Sequence, residues 1–341
     1  MEEPVPNIVF VKAKKKRERK SLQPTIQVLV SLVTAIVAIS GILLSYQTFL
    51  LNAEERAVQR KAASNNRFTY AIEHLKNESL AIRMGALFEL KKLGLEDEAL
   101  QENIARILGP FIREGIENED LLFRTKGRKA EPNDDTVIAC EIVSLFGEQI
   151  EYTLPLVNLQ AEWMLFEGVH MQRADLSGAN LENAVFRSVH LQDSDFSSAN
   201  LKETSFDYSN LKGAKFFGNA EGVSFYCSNL EGASFICNLK NAFFLNANLE
   251  GAGFRGNVEG ADFTNANLRG ASFLLCDGLT VEQLLEAFID DTTSFGFDGH
   301  IAKDPRIQAR IGDYAQLKGR HDDLSAEYGM TYPALAATPA P

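Results

Sequence analysis

Between Ser21 and Ala53 the chain has no charged side chain. A gap of that length excludes an exposed loop and points to a lipid or a buried setting. Cysteine is scarce, four in 341 residues, which excludes a disulfide framework. One tryptophan and five histidines leave little material for a metal or redox centre. The sequence contains no G-x-G-x-x-G, P-loop, H-E-x-x-H or C-x-x-C, so it offers no motif for nucleotide, phosphate, zinc or dithiol chemistry. Positive charge is outnumbered: the net charge is −12, which argues against nucleic acid as the main ligand. No catalytic group, cofactor or metal is expected, and the chain reads as a non-enzyme.

What is present begins with a basic tail, residues 1–24, in which residues 12–20 carry seven Lys or Arg. Residues 25–52 follow as a membrane helix. Its apolar part, residues 26–46, would be about 31 Å long as a helix, the thickness of a bilayer core. It is too long for a signal-peptide apolar region, and no small-x-small cleavage site follows it. Arg56, Arg60, Lys61 and Arg67 come after the span, so the basic excess favours a cytoplasmic N-terminus. Thr34, Ala38, Gly41 and Ser45 fall on one helical stripe of small residues, a candidate surface for self-association into a homo-oligomer.

Residues 53–118 predict a helical connector. Phe68, Ile72 and Leu75 repeat at helical spacing, as do Leu80, Met84, Leu87, Leu90 and Leu93, and then Leu100, Ile104, Ile107, Leu108, Phe111 and Ile112. Short amphipathic helices of this kind suggest HEAT-like hairpins, with Pro110 expected to kink or break the third. Residues 119–155 predict an exposed charged loop and then a capping helix near Asp135 to Gly147.

From residue 156 to 278 the period becomes five. Leu or Phe stands at 176, 181, 186, 191, 196, 201, 206, 211 and 216, and a small residue usually stands two positions earlier, as at Ala174, Ala179 and Ala184. Neither the helical nor the strand period produces this, so an internal repeat is the reading. The segments ADLSGANLENAVF (174–186) and ANLEGAGF (247–254) resemble the pentapeptide-repeat family, whose motif is A-(D/N)-(L/F)-x-x. The resemblance implies a mainly β fold: a right-handed quadrilateral β-helix of four pentads per coil, with the central Leu or Phe and the small residue inside. The helical segment containing SLAIRMGALFELKKLG is similar to the region joining membrane spans to repeats in bacterial members, which implies a single-pass protein of the bacterial inner membrane.

The phase carries independent information. The spacing of centres shortens by one residue at 216→220, 235→239 and 254→258, always 19 positions apart. Three successive coils therefore miss one residue at the same corner. With that correction Phe216, Phe235, Phe254 and Phe273 fall on one face and Phe206, Phe225, Phe244 and Phe263 on the opposite one. Residues 279–341 predict a capping helix, LTVEQLLEAFIDD (279–291), and a partly irregular tail.

The residue after each centre should point outward. On the first Phe face that row reads Ser177, Ser197, Phe217, Ile236, Arg255, Leu274, and on the opposite face Tyr226 and Leu245 appear with Phe243 nearby. Phe217, Ile236, Leu274, Tyr226, Phe243 and Leu245 are therefore candidates for a partner-binding surface, unless the C-terminal residues fold over them. His170 and His190 are one coil apart, but no third metal ligand is evident. Trp163, in the first coil, is expected to pack at the cap. The leading functional expectation is a membrane-anchored scaffold that presents a rigid rod to an unidentified protein partner. The alternative implied by the family is an acidic DNA mimic acting on topoisomerases. Here the basic residues interspersed along the repeat oppose it, and no nucleic-acid partner is expected.

Overall fold

The computed structural model describes residues 23–117, 133–150, 152–296 and 299–312. The expected basic tail, most of the charged loop and the tail from 313 onward lie outside the described residues. The chain divides into two units at Asn66/Arg67.

The first unit is described only through helix α1, Gln23–His74, whose apolar side chains from Ile26 to Leu51 are all exposed. By length and composition, α1 holds one stretch that could cross a membrane. Helix α1 runs unbroken across residue 52, where the sequence suggests that a membrane helix gives way to a helical connector. From Ile42 to His74 the sequence contains neither Gly nor Pro and includes the strong helix formers of AEERAVQRKAA, so nothing stops the helix.

The second unit begins with helices. α2 is Leu80–Glu96 and α3 is Gln101–Glu117, joined by a 3-10 turn at Glu98–Leu100. α4 is Asp134–Ile150. Leu87, Leu90 and Leu93 of α2, Ile104, Leu108, Ile112 and Ile116 of α3, and Ala139, Ile142, Val143 and Phe146 of α4 are buried in one core that continues into the repeat. Pro110 does not break α3. It lies on the exposed side, opposite the buried stripe, where packing of that stripe outweighs one lost backbone hydrogen bond. The Arg83 guanidinium donates to Asp135 at 2.5 Å and to the carbonyls of Asn77 and Glu78, which ties α2 to the start of α4.

The repeat is a parallel β-solenoid. Its strands are β1 (Leu154–Pro155), β2 (Leu165–Glu167), β3 (Ala174–Asp175), β4 (Val185–Arg187), β5 (Asp195–Asn200), β6 (Lys215–Asn219), β7 (Ser234–Asn238), β8 (Gly253–Asn257) and β9 (Ser272–Asp277). One face is the sheet β1-β3-β5-β6-β7-β8-β9, and β2-β4 pair on another. Every pairing is parallel, as a coil of fixed handedness requires. The register partners Lys215↔Ser234, Ser234↔Gly253 and Gly253↔Ser272 are each 19 positions apart, and Asp175↔Asp195 and Asp195↔Lys215 are 20 apart. The shortened coils predicted from spacing are therefore present. Bulges bound them, between Ser197 and Asn200 at one end and between Phe254 and Gly256 at the other. Where the residue is missing, the strand runs straight through the corner. β6, β7 and β8 have five residues each, and β5 and β9 on either side of them have six.

Two phenylalanine columns form the interior. Phe196, Phe216, Phe235, Phe254 and Phe273 stack at 4.7–5.0 Å, and Phe166 through Phe263 stack opposite at 4.6–5.4 Å. Across the core they meet edge-to-face, as at Phe235–Phe244, 5.6 Å, the two geometries that ring quadrupoles favour. Where the small inward position holds a hydroxyl in place of Ala, it is satisfied. Thr204, Ser209 and Ser228 donate to the carbonyls of Leu181, Phe186 and Phe206 on the coil below.

The helical segment expected at 279–291 shrinks to α5, Val281–Leu284, closed by a Thr280–Gln283 capping box. Phe288 of that segment rejoins the stack by pairing with Asn267, and just beyond it Ser294 pairs with Ser272. The Gln283 amide donates to the carbonyls of Val258 and Ala261, the second of which an extended solenoid would have paired with another coil, as Ala242 pairs with Asp262. Two further helices, α6 (Gly299–Lys303) and α7 (Pro305–Gly312), bury Ile301 and Ile307. Part of the region expected to be irregular is thus helical.

Candidate functional site

The candidate surface is set by pentad arithmetic. Around each inward centre, the residues before and after it point outward, and the second residue after it makes the turn. Most of those turn positions have positive φ, for example Asn183, Tyr208, Asn246, Gly213 and Gly251. Backbone pairing places Phe217 beside Ile236, and Ile236 beside Arg255, on successive coils. Leu274 follows on the next. Ile236 is 45% exposed, and Phe217 and Leu274 are half-buried. The three therefore form one row with Arg255 in it. Beside this ridge runs a row of small residues, Ser234, Gly253 and Ser272, which leaves a shallow groove of about 310 Å³.

On the opposite face Phe243 is 50% exposed, and Tyr226 and Leu245 are half-buried. The structure adds Tyr208, 46% exposed, whose ring meets Tyr226 edge-on at 5.3 Å. Hydrogen bonding between Tyr226 and the Cys227 thiol pushes the Tyr226 hydroxyl up to about 12. The structure thus brings the six candidates together in two groups of three, on opposite sides of the solenoid. Tyr208 and Leu275, 65% exposed, are apolar surface that reading only the flanks of each centre missed. Both occupy left-handed turn positions where Gly and Asn prevail, and a bulky residue at such a position is the signal that would have found them. Trp163 belongs to the same class. At φ 63° it is a turn residue 36% exposed, not a side chain packed into the cap.

The two remaining faces are polar. Asn267, Asn248, Asn229 and Asn210 form a ladder, each amide donating to the next side-chain oxygen at 2.8–3.4 Å, and Asn238 donates to Asn219 likewise. Lys202–Glu182, Lys212–Glu231, Lys240–Glu259 and Arg269–Glu250 pair across coils. Four carboxylates of these faces, Glu182, Glu231, Glu250 and Glu259, thus have a basic partner. His170 and His190 stack at 4.3 Å, and burial, then the neighbouring His170, holds His190 below its ordinary value. Among the described residues no group of three metal-ligating side chains occurs. Burial pushes the thiols of Cys140, Cys237 and Cys276 up to about 12, so none is a poised nucleophile. In α1 the stripe of Thr34, Ala38, Gly41 and Ser45 is exposed, and Thr34 donates its hydroxyl to the carbonyl of Val30.

Residues 165–202 and 186–218 match the model for pentapeptide repeats, in 8 copies. This part of the chain carries pentapeptide repeats. The matched span ends at 218, at the first shortened corner, where a strict period of five fails. Proteins of this family are generally structural or interaction proteins and not enzymes. Among solved structures, the chain is similar to HetL, a pentapeptide repeat protein involved in heterocyst differentiation regulation from the cyanobacterium Nostoc sp. strain PCC 7120. Identity is 18% over 42% of this chain and 88% of that one, with a TM-score of 0.19. It is also similar to full-length QnrB1, a plasmid-mediated fluoroquinolone resistance protein, with 21% identity over 42% of this chain and 84% of that one, and a TM-score of 0.22. Rfr23 from the cyanobacterium Cyanothece 51142 is 23% identical over 45% of this chain and 97% of that one, with a TM-score of 0.16. No curated protein matches the chain.

Proposed function

We propose that this protein is a non-catalytic interaction module, held at a membrane by α1, that docks a protein partner on the outside of its solenoid. The observation that carries the reading is the row Phe217, Ile236 and Leu274. The two polar faces cover themselves with Asn ladders and ion pairs, whereas this row leaves aligned apolar side chains in solvent, which binding accounts for. The alternative, an acidic nucleic-acid mimic, is disfavoured by the same ion pairs, because a mimic needs its carboxylates unpaired. A single-pass bacterial inner-membrane location with the N-terminus in the cytoplasm fits the exposed apolar stretch of α1 and the basic excess before it. The small-residue stripe on α1 would let two copies associate, in which case Ala38→Leu with Gly41→Leu abolishes a crosslinked dimer.

The test places a photo-crosslinking amino acid at Ile236 in the full chain, with Glu259 on a neighbouring face as control. A discrete crosslinked protein from position 236 and none from 259 is expected. Equal or no crosslinking from both, with the chain in the membrane, overturns the reading.

A further inference from the structure

The groove beside Ile236 has an electrostatic character opposite to that of the whole protein. The net charge is −12. Yet on this face, from β6 to β9, the outward residues flanking the centres are Lys215 and Phe217, Ser234 and Ile236, Gly253 and Arg255, Ser272 and Leu274, without one carboxylate. Lys202, Lys212, Lys240 and Arg269 on the neighbouring faces each meet a Glu. Lys215 and Arg255 are exposed and, among the described residues, have no carboxylate within salt-bridge distance. Arg255 follows Ile236 in the outward row, with Leu274 bordering the same groove. At its side Gly253 removes the side chain between Ser234 and Ser272, and the hollow so formed is bordered by Ile236, Arg255 and Leu274.

We infer that this groove takes an extended, acidic–aliphatic peptide segment of a protein partner, with one carboxylate on Arg255 and aliphatic side chains against Phe217, Ile236 and Leu274. The inference rests on the reading of this face as a docking surface and adds the chemistry of what docks. Its warrant is charge complementarity. A planar guanidinium with no acidic neighbour, framed by apolar surface, is built to receive a carboxylate in a partly dehydrated setting, where such a bond is strongest. The dimensions agree. Four coils at a spacing of about 4.8 Å give a ridge of about 14 Å, the length of four residues of extended chain. Ser234 and Ser272 supply hydroxyls for the backbone of such a segment.

The experiment uses the full chain in detergent and two fluorescein-labelled peptides. One has a single glutamate between valines, and the other is its lysine counterpart. The native chain should bind the glutamate peptide about tenfold more tightly, and Arg255→Glu should invert that preference by a similar factor. Lys240→Glu, on a neighbouring face, should leave the preference unchanged. Arg255 is exposed, so the substitution does not threaten folding, and circular dichroism of the variant checks this. Binding of neither peptide, or a preference indifferent to Arg255→Glu, overturns the inference. So does binding that appears only after residues 313–341 are removed, which would assign the groove to the chain's own C-terminal segment. Crosslinking at Ile236 without a peptide charge preference would leave the docking surface standing and remove only the acidic-partner inference.

Discussion

At the residue scale, backbone conformation decides more than side-chain chemistry. Gly256 has φ 112°, and a Cβ there would lie 2.5 Å from the carbonyl oxygen of Cys237. Gly256→Ala should therefore lower stability by about 1–3 kcal/mol, read as a shifted urea midpoint. Leu275 poses the converse case. A branched side chain at φ 60°, 65% exposed, accepts strain without burial. Leu275→Gly should raise stability by about 1 kcal/mol in the same assay. His190 adds a dependence on pH. Its folded value lies below its unfolded one, so the stability it permits is complete above the unfolded value of about 6.5 and is lost as pH falls through the folded one. The urea midpoint should fall on acidification from about pH 7 to pH 5. His190→Asn should flatten that response, because Asn210 already occupies the next position of the same column.

At the element scale, the solenoid was legible in the sequence because its rule is local. The inward centres from Leu176 to Phe273 could be placed by counting in fives, and even the coils of 19 residues announced themselves as a shift of phase. The helices were less legible. α1 passes through the expected boundary near residue 52 because that boundary was drawn from hydropathy, whereas the backbone obeys only helix-breaking residues. The segment 279–291 shows periodic apolar residues suited to a helix, yet Phe288 and Ile289 answer to the unpaired edge of the last coil. Of the surface, the two groups of three candidates could be read from pentad position, but Tyr208 could not, since a turn residue gives no apolar period. The column of rings behaves as one element. Phe235→Ala removes a ring with stacked neighbours above and below and edge contacts to Phe225 and Phe244. A loss of about 3–5 kcal/mol is expected, measured by chemical denaturation of residues 1–341 in detergent.

At the scale of the whole molecule, the chain combines a stretch able to enter a membrane with a solenoid closed at its C-terminal end by Gln283, α6 and α7. If the proposed orientation holds, a phosphatase reporter fused after the repeat is active in a bacterial host, the outcome that the basic excess before the apolar stretch predicts. An inactive reporter would place the solenoid among cytosolic partners. The three equal coils carry a consequence for how such a protein changes length. Because Lys215, Ser234, Gly253 and Ser272 recur at an unvarying offset, a tandem duplication of the 19 codons for residues 235–253 would insert one complete storey with every hydrogen-bonded neighbour preserved, whereas a duplication one codon longer would rotate all that follows onto the wrong wall. Growth of the apolar ridge is thus quantised, and the genetic step that extends it by one floor leaves the foundations and the roof untouched.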